Sequence, residues 1–392
     1  VSTGPAVVEP ASEPALTAGE VVDEANQAAA DAAAGVGLVS VVSMAEGKPV
    51  ITAVTPENAV PTALAADARG DVLAVEEAAI VTTSDPGTIE TATSRPGGAA
   101  ITSTNDPYYS SQWAFSVTPF EPAWACSTGT GVNVAVIDTG VLAGHPDLGG
   151  RVTAGWSKLN NGAAVVGDGG VDPNGHGTHV AGTIAATAGN GLGVLGVAPA
   201  ATVIPVRVLD ASGSGWDTDI ANGMVWAVDH GANILSMSLG TTSASASLSA
   251  ALDYATSHGV PVIAAAGNGG PGSAALYPAA FPGAIAVAAI DSTGTVASFS
   301  TTGAYVDVAA PGVGIWSTYS SSGAAAYARM NGTSMATPHV AGLAALVMSA
   351  KSGLTLAEVR SRLVDTATDA GDAGFDTSYG NGVINPSRAI TG

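Results

Sequence analysis

The stretch VNVAVIDTGV, residues 132–141, decides the fold. Its apolar run does not alternate with polar residues. That pattern describes a strand buried on both faces, as in a parallel sheet. The run stops at Asp138, and Thr139-Gly140 turns the chain. Comparable runs recur at 202–209, 233–237, 260–265 and 284–289. Helical stretches at 179–187, 217–230 and 247–258 separate several of them. A long apolar stretch, MATPHVAGLAALVMSA at 335–350, must form a central helix. This βαβ succession predicts an α/β fold with a parallel central sheet and helices on both faces.

Composition sets the outer limits. The chain has 392 residues, which suggests two or three domains at about 100–200 residues each. At 46% hydrophobic it buries a sizeable core, and with 11% charged residues and 51 glycines it suits tight packing of small residues. The net charge of −21, without clustered Lys or Arg, argues against nucleic acid and against an anionic membrane surface. No apolar run reaches 18 residues, so no spanning helix is expected. Cys126 is the sole cysteine, which excludes an intrachain disulfide and a cysteine-based zinc site. Packed burial on a helix is its expected state. The N-terminus lacks the basic start and apolar stretch of a signal peptide.

A seam runs through 84–107, SDPGTIETATSRPGGAAITSTNDP, which has linker composition. Residues 1–100 carry 14 acidic and 3 basic residues, against 18 and 8 for the rest, so the shorter part is far denser in charge. Its first 15 residues read as disordered. A helix follows near 19–34, then strands at 36–43 and 49–55, a helix opened by Pro56, and a last strand at 71–83. That order predicts a small α+β open sheet with helices on one face.

In open parallel sheets, ligands bind at the carboxyl ends of the strands. Four polar residues stand at such ends or at helix starts. Asp138 closes the strand at 132–137, His176 opens HGTHVAGT (176–183), Asn268 ends AAAGN (264–268), and Ser334 lies in NGTSMATPHVAG (331–342). Singly, each is as readily a turn, cap or core residue. Together they supply a hydroxyl nucleophile, a proton acceptor, a carboxylate to orient it, and an amide donor for an oxyanion, the parts of acyl transfer. His176-x-x-His179 is not a zinc protease pair, because Gly177 stands where that signature needs Glu.

These four blocks, in this order, resemble the subtilisin family of serine endopeptidases, and most closely its thermitase-like branch, over about residues 105–392. The resemblance implies that Asp138 orients, His176 is the general acid and base, and Ser334 is the nucleophile. The Asn268 amide and the Ser334 N–H would form the oxyanion hole. It implies an extended peptide substrate held between Gly213-Ser214-Gly215 and Ser238-Leu239-Gly240. Ala264, Ala265, Ala266 and Gly267 would wall the primary pocket, with Leu276 near its base, giving cleavage after apolar residues with loose selectivity. Calcium is the implied cofactor, held by Asp106, Asp147 and Asn190 with the carbonyls of Thr187, Leu192 and Val194, a hard oxygen shell. A second site of that branch falls on SKLNNGAAVVGDGGVDPN (157–174), rearranged here, with Asp168 and Asp172 as its remaining carboxylates. The branch often has Cys where Val180 stands.

The resemblance also assigns 1–100 as a propeptide that templates folding and then inhibits, with a cleavable linker from about 84, autocleavage near 96–101, and 101–392 as the catalytic domain. A secreted monomer is expected, with polypeptide substrates and its own propeptide as partners. Two other readings compete: a catalytically idle scaffold that binds peptides, and an acidic N-terminal interaction module that persists.

Overall fold

The computed structural model describes residues 15–34, 37–68, 72–83, 90–92 and 105–392. Residues 1–14, within the stretch expected to be disordered, and the expected cleavage region at 96–101 lie outside these residues.

The first elements are α1 (Ala18–Ala34), β1 (Val39–Ala45), β2 (Lys48–Val54), α2 (Ala59–Asp67), β3 (Val72–Glu77), β4 (Ile80–Thr83) and β5 (Glu90–Ala92). Strands β2-β1-β3 form an antiparallel sheet. Alternation sorts its two faces. Val39, Val41, Val72 and Val75 pack with α1 and α2. Val42 and Ile51 point the other way and join the core of the larger unit. The expected single strand at 71–83 is in fact two. The chain breaks at Ala78, whose N–H bonds the Leu38 carbonyl, and β4 leaves for another sheet.

The larger unit follows, with α3 (Ala114–Val117), α4 (Glu121–Trp124), β6 (Asn133–Asp138), β7 (Trp156–Ser157), β8 (Val165–Val166), α5 (His176–Ala185), β9 (Thr202–Arg207) and β10 (Ser214–Trp216). Next come α6 (Asp217–Asp229), β11 (Ile234–Met237), β12 (Leu239–Gly240), α7 (Ala246–Ser257), β13 (Val262–Ala265) and β14 (Ala284–Ile290). The chain closes with β15 (Val308–Pro311), β16 (Ile315–Ser321), β17 (Ala324–Met330), α8 (Thr333–Ala350), α9 (Leu356–Val364) and α10 (Pro386–Thr391).

The main sheet runs β15-β14-β13-β11-β6-β9-β7-β8 and is parallel except for β7 with β8, so it is mixed only at that edge. Both faces are covered, as the unbroken apolar strands required. Val134 and Val136 of β6 face α5 and α8. Ala135 and Ile137 face α6 and α7. The short edge strands β7 and β8 and the β16–β17 hairpin carried no signal strong enough to be read in advance.

Cys126 is exposed, which corrects the expectation of a packed thiol on a helix. The α4 helix ends at Trp124, and its buried positions are filled by Ala123, with Trp124 set against Phe115 and Phe120. Cys126 lies beyond that turn, on the way to β6.

Candidate active site

Asp138 is the last residue of β6 and is fully buried. Its carboxylate faces Nδ1 of His176 at 2.8 Å and 2.9 Å, and the Thr139 N–H donates to Oδ1 at 2.7 Å. A carboxylate at this distance holds the proton on Nδ1 and leaves Nε2 as the basic nitrogen. Two small details bring the pair together. A Cβ on Gly177 would lie 2.0 Å from the Gly140 carbonyl oxygen and 3.1 Å from Cβ of Asp138, so only glycine lets α5 begin this close to β6. The Gly177 N–H also donates to the Thr139 hydroxyl at 3.0 Å.

Asp172 was not singled out for this role, yet it ties the neighbourhood. Oδ1 accepts from the Thr139 hydroxyl (2.9 Å) and the Gly175 N–H (2.8 Å). Oδ2 accepts from the N–H and hydroxyl of Thr178 (2.9 and 2.6 Å). Burial raises its pKa, and these hydrogen bonds oppose the rise. Asp168 is engaged by Ser157 and Arg207. The two carboxylates of the rearranged 157–174 region are thus committed to separate contacts. A spacing of four before the catalytic-type histidine was the available signal for Asp172.

Ser334 is the second residue of α8 and is buried. Its hydroxyl donates to the Ser238 carbonyl at 3.1 Å, and the Ser238 hydroxyl donates back to the Ser334 carbonyl at 2.8 Å. The second bond has a sequence cause. Pro338, four residues on, has no N–H for that carbonyl, and Ser238 supplies the missing donor. Thr333 links the serine to Asn268: the Thr333 N–H and hydroxyl donate to Asn268 Oδ1 at 2.8 and 3.0 Å. A backbone N–H only donates, so the carboxamide oxygen must face Thr333 and the NH₂ must face the other way. The α5 and α8 helices pack on one another, bringing both ends of the constellation to one side of the sheet.

The expected peptide-holding segments flank a slot, and β4 occupies it. Thr82, Val81 and Ile80 pair antiparallel with Ser214, Gly215 and Trp216, while Thr83 and Thr82 pair with Leu239 and Gly240. The Thr83 N–H donates to the Gly213 carbonyl at 2.9 Å, and Val81 is fully buried. The glycines serve different ends. A Cβ on Gly213 would lie 2.8 Å from the Thr83 hydroxyl, a clash with the seated strand. On Gly215 and Gly240 it would instead meet the larger unit's own Val208 carbonyl (2.2 Å) and Leu276 (2.4 Å). Ala264, Ala265 and Ala266 are fully buried, Ala264 and Ala266 in core clusters, so these two offer backbone more than side chain to any pocket. Leu276 is half-buried against Gly240 and Gly267.

The expected calcium ligands also converge. Asp106 accepts from the N–H groups of Gly189 (2.8 Å) and Asn190 (3.1 Å), and Asp147 from Val194 N–H (2.9 Å) and the Asn190 NH₂ (2.8 Å). Burial, and secondarily Asp106, pushes the Asp147 carboxyl up to about 7, while its hydrogen bonds pull against that. Among the described residues no basic side chain pairs with Asp147. The buried Thr187 hydroxyl beside this loop has no hydrogen-bond partner. Two buried carboxylates and an orphaned oxygen are a donor set suited to a hard cation. As placed, Asn190 turns its NH₂ toward Asp147.

A hydroxyl at a helix N-terminus, a buried Asp–His pair and a strand-binding slot define a peptide-bond hydrolase of the serine type. The model of the subtilase family matches residues 129–382, and the chain belongs to that family. It is a serine endopeptidase. It is 44% identical to thermitase from Thermoactinomyces vulgaris over 287 residues, 73% of this chain and 98% of the relative. It is 49% identical to subtilisin Savinase from Lederbergia lenta over 262 residues, 67% of this chain and 91% of the relative. Among solved structures, a protease from Pseudoalteromonas arctica PAMC 21717 matches with a TM-score of 0.68 and 35% identity, covering 74% of this chain and 99% of that one.

Proposed function

We propose that the chain is the proform of a secreted, calcium-stabilised endopeptidase of loose, apolar-leaning specificity, acting through Asp138, His176 and Ser334. The observation that carries this reading is β4, which lies in the β10–β12 slot as an extended polypeptide substrate would. Ser334 Oγ attacks the scissile carbonyl carbon and its proton passes to His176 Nε2. Asp138 stabilises the resulting imidazolium across Nδ1. Negative charge on the carbonyl oxygen is met by the Asn268 NH₂ and the N–H groups at the start of α8. The intermediate collapses, the amine leaves with the proton from Nε2, and water repeats the sequence on the acyl-serine.

Residues 1–100 are then the propeptide and 101–392 the catalytic domain. The three-stranded sheet sits on α6 and α7, and β4 blocks the slot. A parallel sheet with distant pairings folds slowly, so a tethered template that also inhibits has a physical use. Cleavage is expected near residues 96–101. Calcium, when bound by Asp106, Asp147, Asn190 and the 187–194 loop, would compensate the buried charge of Asp147, which pairs with no basic side chain among the described residues. It takes no part in the steps above.

The test compares wild type with Ser334→Ala. Wild type should shorten itself by about a quarter, yield a new N-terminus near residues 96–101, and label with a fluorophosphonate. Ser334→Ala should stay full length and unlabelled. A wild-type chain that neither shortens nor labels would favour the idle scaffold instead. An N-terminal part that persists in the active protein would favour the interaction module.

A further inference from the structure

The β16–β17 hairpin is fastened to α5, the helix that carries His176. His179 Nε2 lies 2.9 Å from the Ile315 carbonyl and 3.2 Å from that of Ala328. The hydroxyls of Ser317 and Thr318 donate to the carbonyls of His179 (2.6 Å) and Thr178 (2.7 Å), and Tyr319 to that of Asn174 (2.9 Å). The inner edge of β17 pairs with β16 from Ile315↔Met330 to Ser321↔Ala324. Its end runs directly through Asn331, Gly332 and Thr333 into Ser334.

The outer edge of β17 also holds a strand. Tyr327, Ala328 and Arg329 pair antiparallel with Ala92, Thr91 and Glu90 of β5. This is the same polypeptide that fills the β10–β12 slot, seven residues further along from Thr83. Seven residues reach at most about 25 Å. One chain therefore docks by backbone pairing at two places, first in the slot and then on the strand that leads to the nucleophile.

We propose that the outer edge of β17 is a second strand-addition site for polypeptide substrates, taking the segment about seven residues beyond the one seated on Gly213 and favouring an acidic residue opposite Arg329. The inference rests on β4 being a substrate mimic. Main-chain pairing supplies the affinity, as an open strand edge does. Arg329 supplies the selectivity. It is exposed, it is the only charged residue of β17, and its register partner in this chain is Glu90. Opposite charges across a strand pair add a few-fold in binding. Such a site selects long, unfolded polypeptides over short peptides.

The test uses the processed enzyme obtained from the full chain, hydrolysing a short apolar chromogenic peptide. Two synthetic competitors are compared by initial rates: residues 76–92 and residues 76–89. The longer should inhibit about tenfold more tightly. A Glu90→Lys version of the longer peptide should lose a few-fold against wild type and recover against Arg329→Glu enzyme. The ratio of the two peptides on each enzyme cancels any general damage from the substitution. Equal inhibition by both lengths, or the same peptide ratio on both enzymes, would overturn the proposal. If Arg329→Glu does not fold, the length comparison on wild type still decides. Failure to hydrolyse the chromogenic peptide at all would overturn the protease reading beneath, which separates the two.

Discussion

Raising the pH should loosen the hold of the N-terminal unit on the catalytic unit, and Glu76 is the reason. Glu76 lies on β3 with Oε1 accepting from the Ala246 N–H at 2.7 Å, at the first turn of α7. A carboxylate suits a helix N-terminus. This one, however, is largely buried and stands beside the buried Asp217, whose Oδ2 accepts the Ser245 hydroxyl at 2.7 Å. Burial first and Asp217 second raise Glu76 from the ordinary 4.5 to about 7, against the pull of its hydrogen bonds. Asp217 is itself raised to about 6, chiefly by burial. Asp219, two residues beyond Asp217, pairs with Lys158, and among the described residues no basic side chain forms an ion pair with Glu76 or Asp217. Released into solvent, Glu76 returns to its usual range. The docked state therefore binds the extra proton. Its contribution is full below pH 4.5 and is lost as pH rises through 7. At about 1.4 kcal/mol per tenfold, the rise amounts to roughly 3 kcal/mol, or a few-hundred-fold in affinity. The assay is inhibition of the processed enzyme by its own released N-terminal fragment from pH 5 to 9. The inhibition constant should climb about tenfold per pH unit between 5 and 7 and then level off. Glu76→Gln keeps the acceptor for Ala246 and adds a donor toward Asp217, so its curve should be nearly flat above pH 6. A flat wild-type curve, or an unchanged slope in Glu76→Gln, would refute the reasoning.

Three further outcomes are expected. Gly177→Ala should lower kcat by about a hundredfold or more with a smaller effect on KM, because the new methyl displaces the start of α5 from Asp138; kinetics of the processed variant check it. Asn268→Leu should reduce kcat by roughly a hundred- to a thousandfold with KM little changed, the loss that removing one such donor causes in subtilisin; a change confined to KM would remove Asn268 from the oxyanion hole. Chelation should lower Tm, and calcium at a hundredfold excess over Kd should restore it by adding about 3 kcal/mol of stability; in Asp147→Asn the calcium dependence should largely vanish, which calorimetry would show.

Much of the site was legible because its signals are local. Asp138 sits where an apolar strand meets a Thr-Gly turn, and Ser334 where a glycine opens an apolar helix. The helices at 217–230 and 247–258 came within a residue or two of α6 and α7. Cys126 was misread because burial depends on what a short turn packs against, and one turn of helix leaves little pattern. Glycine at these positions has two different causes that the sequence does not distinguish: Gly213 makes room for another strand, whereas Gly215 and Gly240 make room for the enzyme's own Val208 and Leu276.

Residue order alone determined the parallel sheet, the four chemical side chains and the acidic first segment, since each depends on neighbours a few positions away. Only the tertiary structure decided that 71–83 divides at Ala78 and sends Ile80–Thr83 between Ser214–Trp216 and Leu239–Gly240. It also decided that Glu76 meets Asp217 and that Glu90–Ala92 lies on β17. A strand's own sequence shows that it will pair but not with which edge, because the partner's hydrogen-bonding groups are the same at every backbone position. The choice is made by distant surfaces that exist only once the chain has folded.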